Sequence, residues 1–139
     1  MRLVTRCLLL TALMMSGCSG SNTTAPSTSS GTFTQTDLAV GTGAEAVTGK
    51  VATVTYSGWL YDTKKPDGKG TFFDGNSGFS FTLGSGQVIA GWDQGVVGMR
   101  VGGQRRLIVP PDLAYGSQGR SPIPPNATLV FDITLTGVQ

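Results

Sequence analysis

Gly84-Ser85-Gly86-Gln87-Val88-Ile89-Ala90-Gly91-Trp92 is the stretch from which the rest of the chain is best read. Two β-branched residues, Val88 and Ile89, lead into a short segment that ends in a tryptophan. Val88, Trp92 and Val96 recur at i, i+4 and i+8 and so share one face of a helix. Gly91 and Gly95 lie inside the same segment, where each costs a helix about 1 kcal/mol relative to alanine. A short, poor helix with a large aromatic on its buried face suits a place where something must approach closely. On that reading the Trp92 indole floors a cavity. The plainer alternative makes Trp92 the core tryptophan of a small β domain.

The flanking segments read as strands. Residues 51–61 alternate, with Ala52, Val54, Tyr56, Gly58 and Leu60 on one face and Thr53, Thr55, Ser57, Trp59 and Tyr61 on the other. Tyr56 thereby falls on the inner face. A polar turn at 64–70, carrying Pro66-Asp67-Gly68, separates this strand from a short apolar run, Thr71-Phe72-Phe73-Asp74-Gly75. A further half-buried strand follows, with Phe79, Phe81 and Leu83 alternating with Ser80 and Thr82. Beyond the short helix, Gly102-Gly103 turns the chain into a strand over 104–109 with Arg105, Leu107 and Val109 on one face. Pro110-Pro111 ends it, because proline cannot donate to a ladder. Residues 112–126 read as a long irregular loop. Residues 128–136 form the cleanest strand, with Leu129, Phe131, Ile133 and Leu135 inward and Thr128, Val130, Asp132, Thr134 and Thr136 outward. Residues 36–40 supply a first strand. The expected fold is α+β: an antiparallel sheet of about five strands with one short helix on its inner face.

Composition narrows the chemistry. Glycine is high at 21 and charged residues are low at 13%, which suits a turn-rich β fold. There is no histidine, which excludes Ser-His-Asp and Cys-His nucleophilic sites and histidine-ligated metal centres. No metal or cofactor is expected. The net charge of +2 comes from Arg2 and Arg6; without them eight basic residues face eight acidic ones. That balance gives no electrostatic case for nucleic acid.

Residues 1–6 form a basic n-region and 7–15 an apolar h-region, far short of the ~20 residues a membrane span needs. Residues 1–17 therefore read as a signal peptide. Met15-Ser16-Gly17-Cys18 resembles the bacterial lipoprotein cleavage box, which implies that Cys18 is lipidated and anchors the chain to a membrane of the cell envelope. An ordinary signal peptide with Cys18 left as a thiol is the alternative. After Cys18, residues 19–32 contain only Ser, Gly, Thr, Asn, Ala and Pro, so 18–32 is a flexible tether with a reach of roughly 20 Å. The folded domain is expected over 33–139.

Tyr56, Phe73, Asp74, Phe79, Trp92, Tyr115 and Phe131 come from separate segments. If the inner sheet face, the helix and the 112–126 loop meet, they form an aromatic cup with one carboxylate and two phenols. Asp74 and Asp132 make no acid/base pair, since Asp132 lies on the outer face. Chemistry in such a cup has to proceed without proton transfer.

Val54-Thr55-Tyr56-Ser57-Gly58, Phe73-Asp74, Gly86-Gln87-Val88-Ile89-Ala90-Gly91-Trp92, Ala114-Tyr115-Gly116, Ile123-Pro124-Pro125-Asn126-Ala127 and Thr128-Leu129-Val130-Phe131 follow one another in order. Together they resemble the macrolide-binding FKBP family of peptidyl-prolyl isomerases, over nearly all of 38–135. The resemblance implies a five- to six-stranded antiparallel half-barrel wrapped around one short helix. It also implies roles: Trp92 as the platform under a prolyl ring, with Tyr56, Phe79 and Phe131 as walls. Val88 and Ile89 form the rim, with the Ile89 N–H and the Tyr115 hydroxyl donating to substrate carbonyls. Phe73 and Asp74 sit beside the twisting amide, and Ile123 closes the loop side. The chain departs from the family before Ile123, where Gly119-Arg120-Ser121-Pro122 is one residue short and lacks the histidine of several members. The implied partners are proline-containing polypeptides, with macrolides such as FK506 or rapamycin as inhibitors, and a single copy of the chain is expected. A module that binds proline segments without turnover is the alternative. The absence of a dimerisation helix or client-binding insert weighs against it.

Overall fold

Strand β5, Leu129–Val138, lies at the centre of the sheet in the computed structural model, which describes residues 32–139. The signal segment, Cys18 and all but the last residue of the tether lie outside the described residues. The other elements are β1 (Thr34–Ala39), β2 (Val51–Tyr61), β3 (Lys69–Thr82), α1 (Ala90–Gly95), β4 (Gln104–Val109) and a 3-10 turn at Pro111–Leu113. The five strands form one sheet in the order β1-β4-β5-β2-β3, with every neighbouring pair antiparallel. The α+β architecture read from the sequence is present.

Strand periodicity of two explains the core. Ala52 and Val54 of β2, Leu107 and Val109 of β4, and Leu129, Phe131, Ile133 and Leu135 of β5 are all buried on the inner face. Trp92 and Val96 meet them from the helix side. Arg105 shares that inner face at 8% exposure. Its Nε donates to Asp37 of β1 at 2.6 Å and its Nη1 to the carbonyls of Gly95 and Val97 at 2.8 and 3.2 Å. One side chain thus ties an edge strand and the end of α1 to β4.

Several elements differ from the sequence reading. The apolar run at 71–75 and the strand at 79–83 belong to one strand, β3, folded against β2 with register shifts. Val54 faces Phe79 while Thr55 faces Ser77, so Gly78 is an extra residue; its φ of 80° suits a glycine bulge. Gly58 faces Asp74 while Trp59 faces Phe72, so Phe73 is extra in the same way. The first strand begins at Thr34 rather than Thr36, because its pairing with β4 runs from Thr34↔Ile108. The helix is shorter than the i, i+4, i+8 spacing suggests. Val88 precedes it, and Ile89 stands at its N-cap in extended conformation.

Two further expectations also change. Val130, outward by alternation, is fully buried. It lies on the central strand between Trp59 and Ile108, and a side chain flanked on both sides of a sheet loses water even on the outer face. The close approach at Gly91 and Gly95 is to the protein itself. A Cβ on Gly91 would stand 2.4 Å from Val109 Cγ1, and one on Gly95 2.6 Å from Leu107 Cδ1. The glycines let α1 lie directly on β4, which lowers the indole onto the core.

Candidate active site

A cavity of about 490 Å³ opens between the inner face of β2, β3 and β5, the segment entering α1, and the 112–126 connection. Tyr56, Phe73, Asp74, Phe79, Val88, Ile89, Trp92, Tyr115, Ile123 and Phe131 all line it, and Gln87, Arg120, Ser121 and Pro122 complete the wall. The first ten are the pocket residues expected from the sequence; the last four are not among them. No periodicity marks those four, since they lie in loops whose course depends on the rest of the fold.

Trp92 is the floor, 4% exposed. Its ring centroid lies 4.7 Å from that of Tyr56, 5.3 Å from Phe131 and 6.1 Å from Phe79, each ring nearly perpendicular to the indole. Edge-to-face packing of this kind holds the rings in place as well as burying them. Phe81, fully inside, supports the indole from beneath at 5.7 Å. The indole Nε1 is buried with no hydrogen-bond partner among the described residues. Gly58 makes room for two walls: a Cβ there would stand 2.7 Å from Phe73 Cζ and 2.9 Å from Phe131 Cε1.

The bulge in β3 explains how Phe73 and Asp74, adjacent in sequence, both reach the cavity, because an extra residue re-aims the strand. The Tyr56 hydroxyl donates to Asp74 Oδ2 at 2.8 Å, and the Gly75 N–H donates to Asp74 Oδ1 at 2.9 Å. Burial and the bond to this carboxylate push the Tyr56 ionisation up to about 12, so the phenol stays protonated as a donor. Asp74 does not pair with an arginine among the described residues; the buried arginine, Arg105, belongs to Asp37.

The rim is held by side chains that bond backbone. Asp93, next to Trp92 on α1, accepts the N–H groups of Gly84 and Gly86 at 3.0 and 3.1 Å. Gln87 Oε1 accepts the Thr82 N–H at 2.9 Å. These bonds set the loop that carries Val88 and Ile89. The Ile89 carbonyl accepts from Trp92 and Asp93, while its own N–H has no acceptor among the described residues. Asp132 lies away from the cavity on the outer face. Arg106 donates to it at 2.7 and 3.0 Å, and Lys69 at 2.6 Å. Burial opposes its charge, yet these bonds hold its carboxyl below the usual carboxylate range. It cannot be the second member of an acid/base pair with Asp74.

A half-barrel sheet closed on one short helix, with an aromatic pocket between them, defines the class of protein. The chain belongs to the FKBP-type peptidyl-prolyl cis-trans isomerase family, whose model matches residues 43–136. Among its relatives is an FK506-binding protein of Neisseria meningitidis serogroup A, 47% identical over 103 residues, which are 73% of this chain and 92% of that one. A 46 kDa FK506-binding nuclear protein of Spodoptera frugiperda is 48% identical over an alignment of 107 residues that covers 74% of this chain and 24% of that longer protein. The crystal structure of a peptidyl-prolyl cis-trans isomerase from Pseudomonas syringae superposes with a TM-score of 0.64 at 37% identity, covering 77% of this chain and 75% of that one.

Proposed function

We propose that this isomerase accelerates X–Pro rotation in proteins folding in the cell envelope, by desolvating and twisting the prolyl amide over Trp92. The observation that carries the reading is the aromatic cavity itself, with the Ile89 N–H, which has no acceptor among the described residues, at its rim. A peptide C–N bond resists rotation by ~18–20 kcal/mol because resonance makes it partly double. Water hydrogen-bonded to the carbonyl favours the planar, polar form. A dry cup removes that water and favours the less polar twisted amide.

In this reading Trp92 carries the prolyl ring between Tyr56, Phe79 and Phe131. The Ile89 N–H and the Tyr115 hydroxyl hold carbonyls on either side of the rotating bond. Phe73 and Asp74 stand beside the amide, Val88 forms the rim and Ile123 closes the loop side. None of these steps moves a proton, in keeping with a chain that has no histidine. Uncatalysed X–Pro exchange takes tens to hundreds of seconds, so modest barrier lowering matters to a folding chain.

The envelope location rests on the signal-like residues 1–17 and on the lipoprotein-like Met15-Ser16-Gly17-Cys18 run, which in this reading makes Cys18 the lipidated first residue of the 18–32 tether. The names of the FK506-binding relatives support macrolides as inhibitors. The protein acts as a single copy on proline-containing polypeptides. The deciding experiment is cis-to-trans exchange in a short X–Pro peptide, with and without rapamycin. Fast exchange blocked by the macrolide supports the reading. Tight macrolide binding without acceleration moves the function to a binding module. Fatty-acid labelling lost in Cys18→Ala tests the anchor.

A further inference from the structure

We infer that Arg120 makes this isomerase selective for proline sites flanked by an acidic residue, an inference that rests on the reading of the cavity as the prolyl site. Among the described residues Arg120 is the only cation that lines the cavity, and Asp74 the only anion. Asp74 is already engaged by Tyr56 and Gly75. The Arg120 guanidinium forms no ion pair among the described residues, whereas Arg105, Arg106 and Lys69 are all committed to aspartates.

The position of Arg120 is fixed although its side chain is exposed. Its backbone pairs with Ile123, the Arg120 N–H donating to the Ile123 carbonyl at 3.0 Å, and Ile123 is itself buried in the loop-side wall. The guanidinium carbon stands 5.9 Å from the Tyr115 ring centroid, beside the hydroxyl-bearing ring of the cavity. A substrate seated on Trp92 with its chain running past Tyr115 brings a neighbouring side chain to this group. Five N–H donors in a planar fork match a carboxylate in two-point geometry. A lysine in the same place meets like charge. Residues 33–139 carry eight basic and eight acidic side chains, so net charge gives the domain no preference between acidic and basic substrates. Discrimination has to be local.

The test compares Ala-Xaa-Pro-Phe and Ala-Pro-Xaa-Phe peptides with Xaa as Glu, Gln or Lys, using exchange NMR on the protein and its Arg120→Gln and Arg120→Glu variants. With the native arginine, kcat/KM for Glu exceeds that for Lys by roughly three- to tenfold at low salt in at least one series. That range reflects a part-exposed ion pair formed with Glu and a like-charge repulsion met by Lys. High salt shrinks the ratio as the Debye length falls. Arg120→Gln brings the ratio near one and Arg120→Glu inverts it. A native ratio of one in both series overturns the inference, as does a ratio that survives in Arg120→Gln. The same peptides are also titrated for binding through the Trp92 indole signal. If no peptide is accelerated, the isomerase reading fails on its own, and the Glu-to-Lys affinity ratio still decides the role of Arg120.

Discussion

The Tyr56 hydroxyl bonds Asp74 diagonally across β2 and β3, two residues off direct opposition, since Tyr56 faces Asn76 and Gly58 faces Asp74. The phenol therefore presents its ring to the cavity and its polar end to a carboxylate at the mouth. Tyr56→Phe keeps the ring and removes the bond. The expected result is a loss of about 1 kcal/mol in stability, read by urea unfolding, with a several-fold fall in kcat/KM.

That bond also has a signature at alkaline pH. The Tyr56 ionisation lies at about 12 in the folded protein and near the ordinary 10.0 in the unfolded chain. Its contribution to stability is full below pH 10 and is lost as pH rises through the folded value, because the unfolded state then gives up its proton first. The difference between the native protein and Tyr56→Phe should therefore shrink between pH 10 and 12 in thermal melts. From about pH 6 to 8 the rate of isomerisation should stay flat; a bell-shaped profile there would indicate acid–base catalysis and refute the desolvation mechanism.

Trp92 anchors the floor by contact with Tyr56, Phe79, Phe81 and Phe131. Trp92→Leu should weaken rapamycin binding by at least tenfold, measured by calorimetry, since a flat aromatic surface is replaced by a smaller branched one. Unchanged binding would remove the cavity as the ligand site.

Asp93 holds Gly84 and Gly86, both at positive φ (77° and 75°), through one carboxylate. Asp93→Ala frees this loop. Amide exchange at Gly84 and Gly86 should speed up, and kcat/KM should fall about threefold or more as the Ile89 N–H loses its fixed aim. Unaltered exchange at both glycines would show that the loop is held by other means.

Gly91→Ala drives a methyl group into Val109, whose Cγ1 stands 2.4 Å from the new Cβ position. Helix propensity favours alanine by about 1 kcal/mol, but overpacking a filled core costs roughly 1–3 kcal/mol. The clash should win, giving a net loss in urea unfolding. A stabilised variant would mean that α1 can lift off β4.

At the sheet edge, the Arg105 guanidinium bonded to Asp37 holds that carboxyl below its ordinary value. The resulting stability is present above the unfolded-state value of about 4 and disappears as pH falls through the lower folded value. Asp37→Asn should lower stability at pH 7 by less than about 1 kcal/mol, because the carboxylate is half exposed, and should flatten the acid limb of the stability profile.

Much of this molecule is legible in its sequence because strands impose a period of two. Alternation along 51–61, 104–109 and 128–136 is enough to place the inner faces that carry Tyr56, Arg105 and Phe131, and the absence of histidine narrows the chemistry before any fold is known. Tertiary structure decides what periodicity cannot carry. Bulges at Gly78 and Phe73 merge two apparent segments into β3 and turn Phe73 and Asp74 into the same cavity, an outcome that depends on β2 as partner. Val130 is buried because its strand is central, which is a fact about neighbours rather than about alternation. Gly91 and Gly95 look like a weak helix in one dimension and prove to be the contact surface between α1 and β4 in three. Arg120 carries no pattern at all. Only the folded loop, paired through Ile123, brings its charge to the rim of an otherwise aromatic pocket.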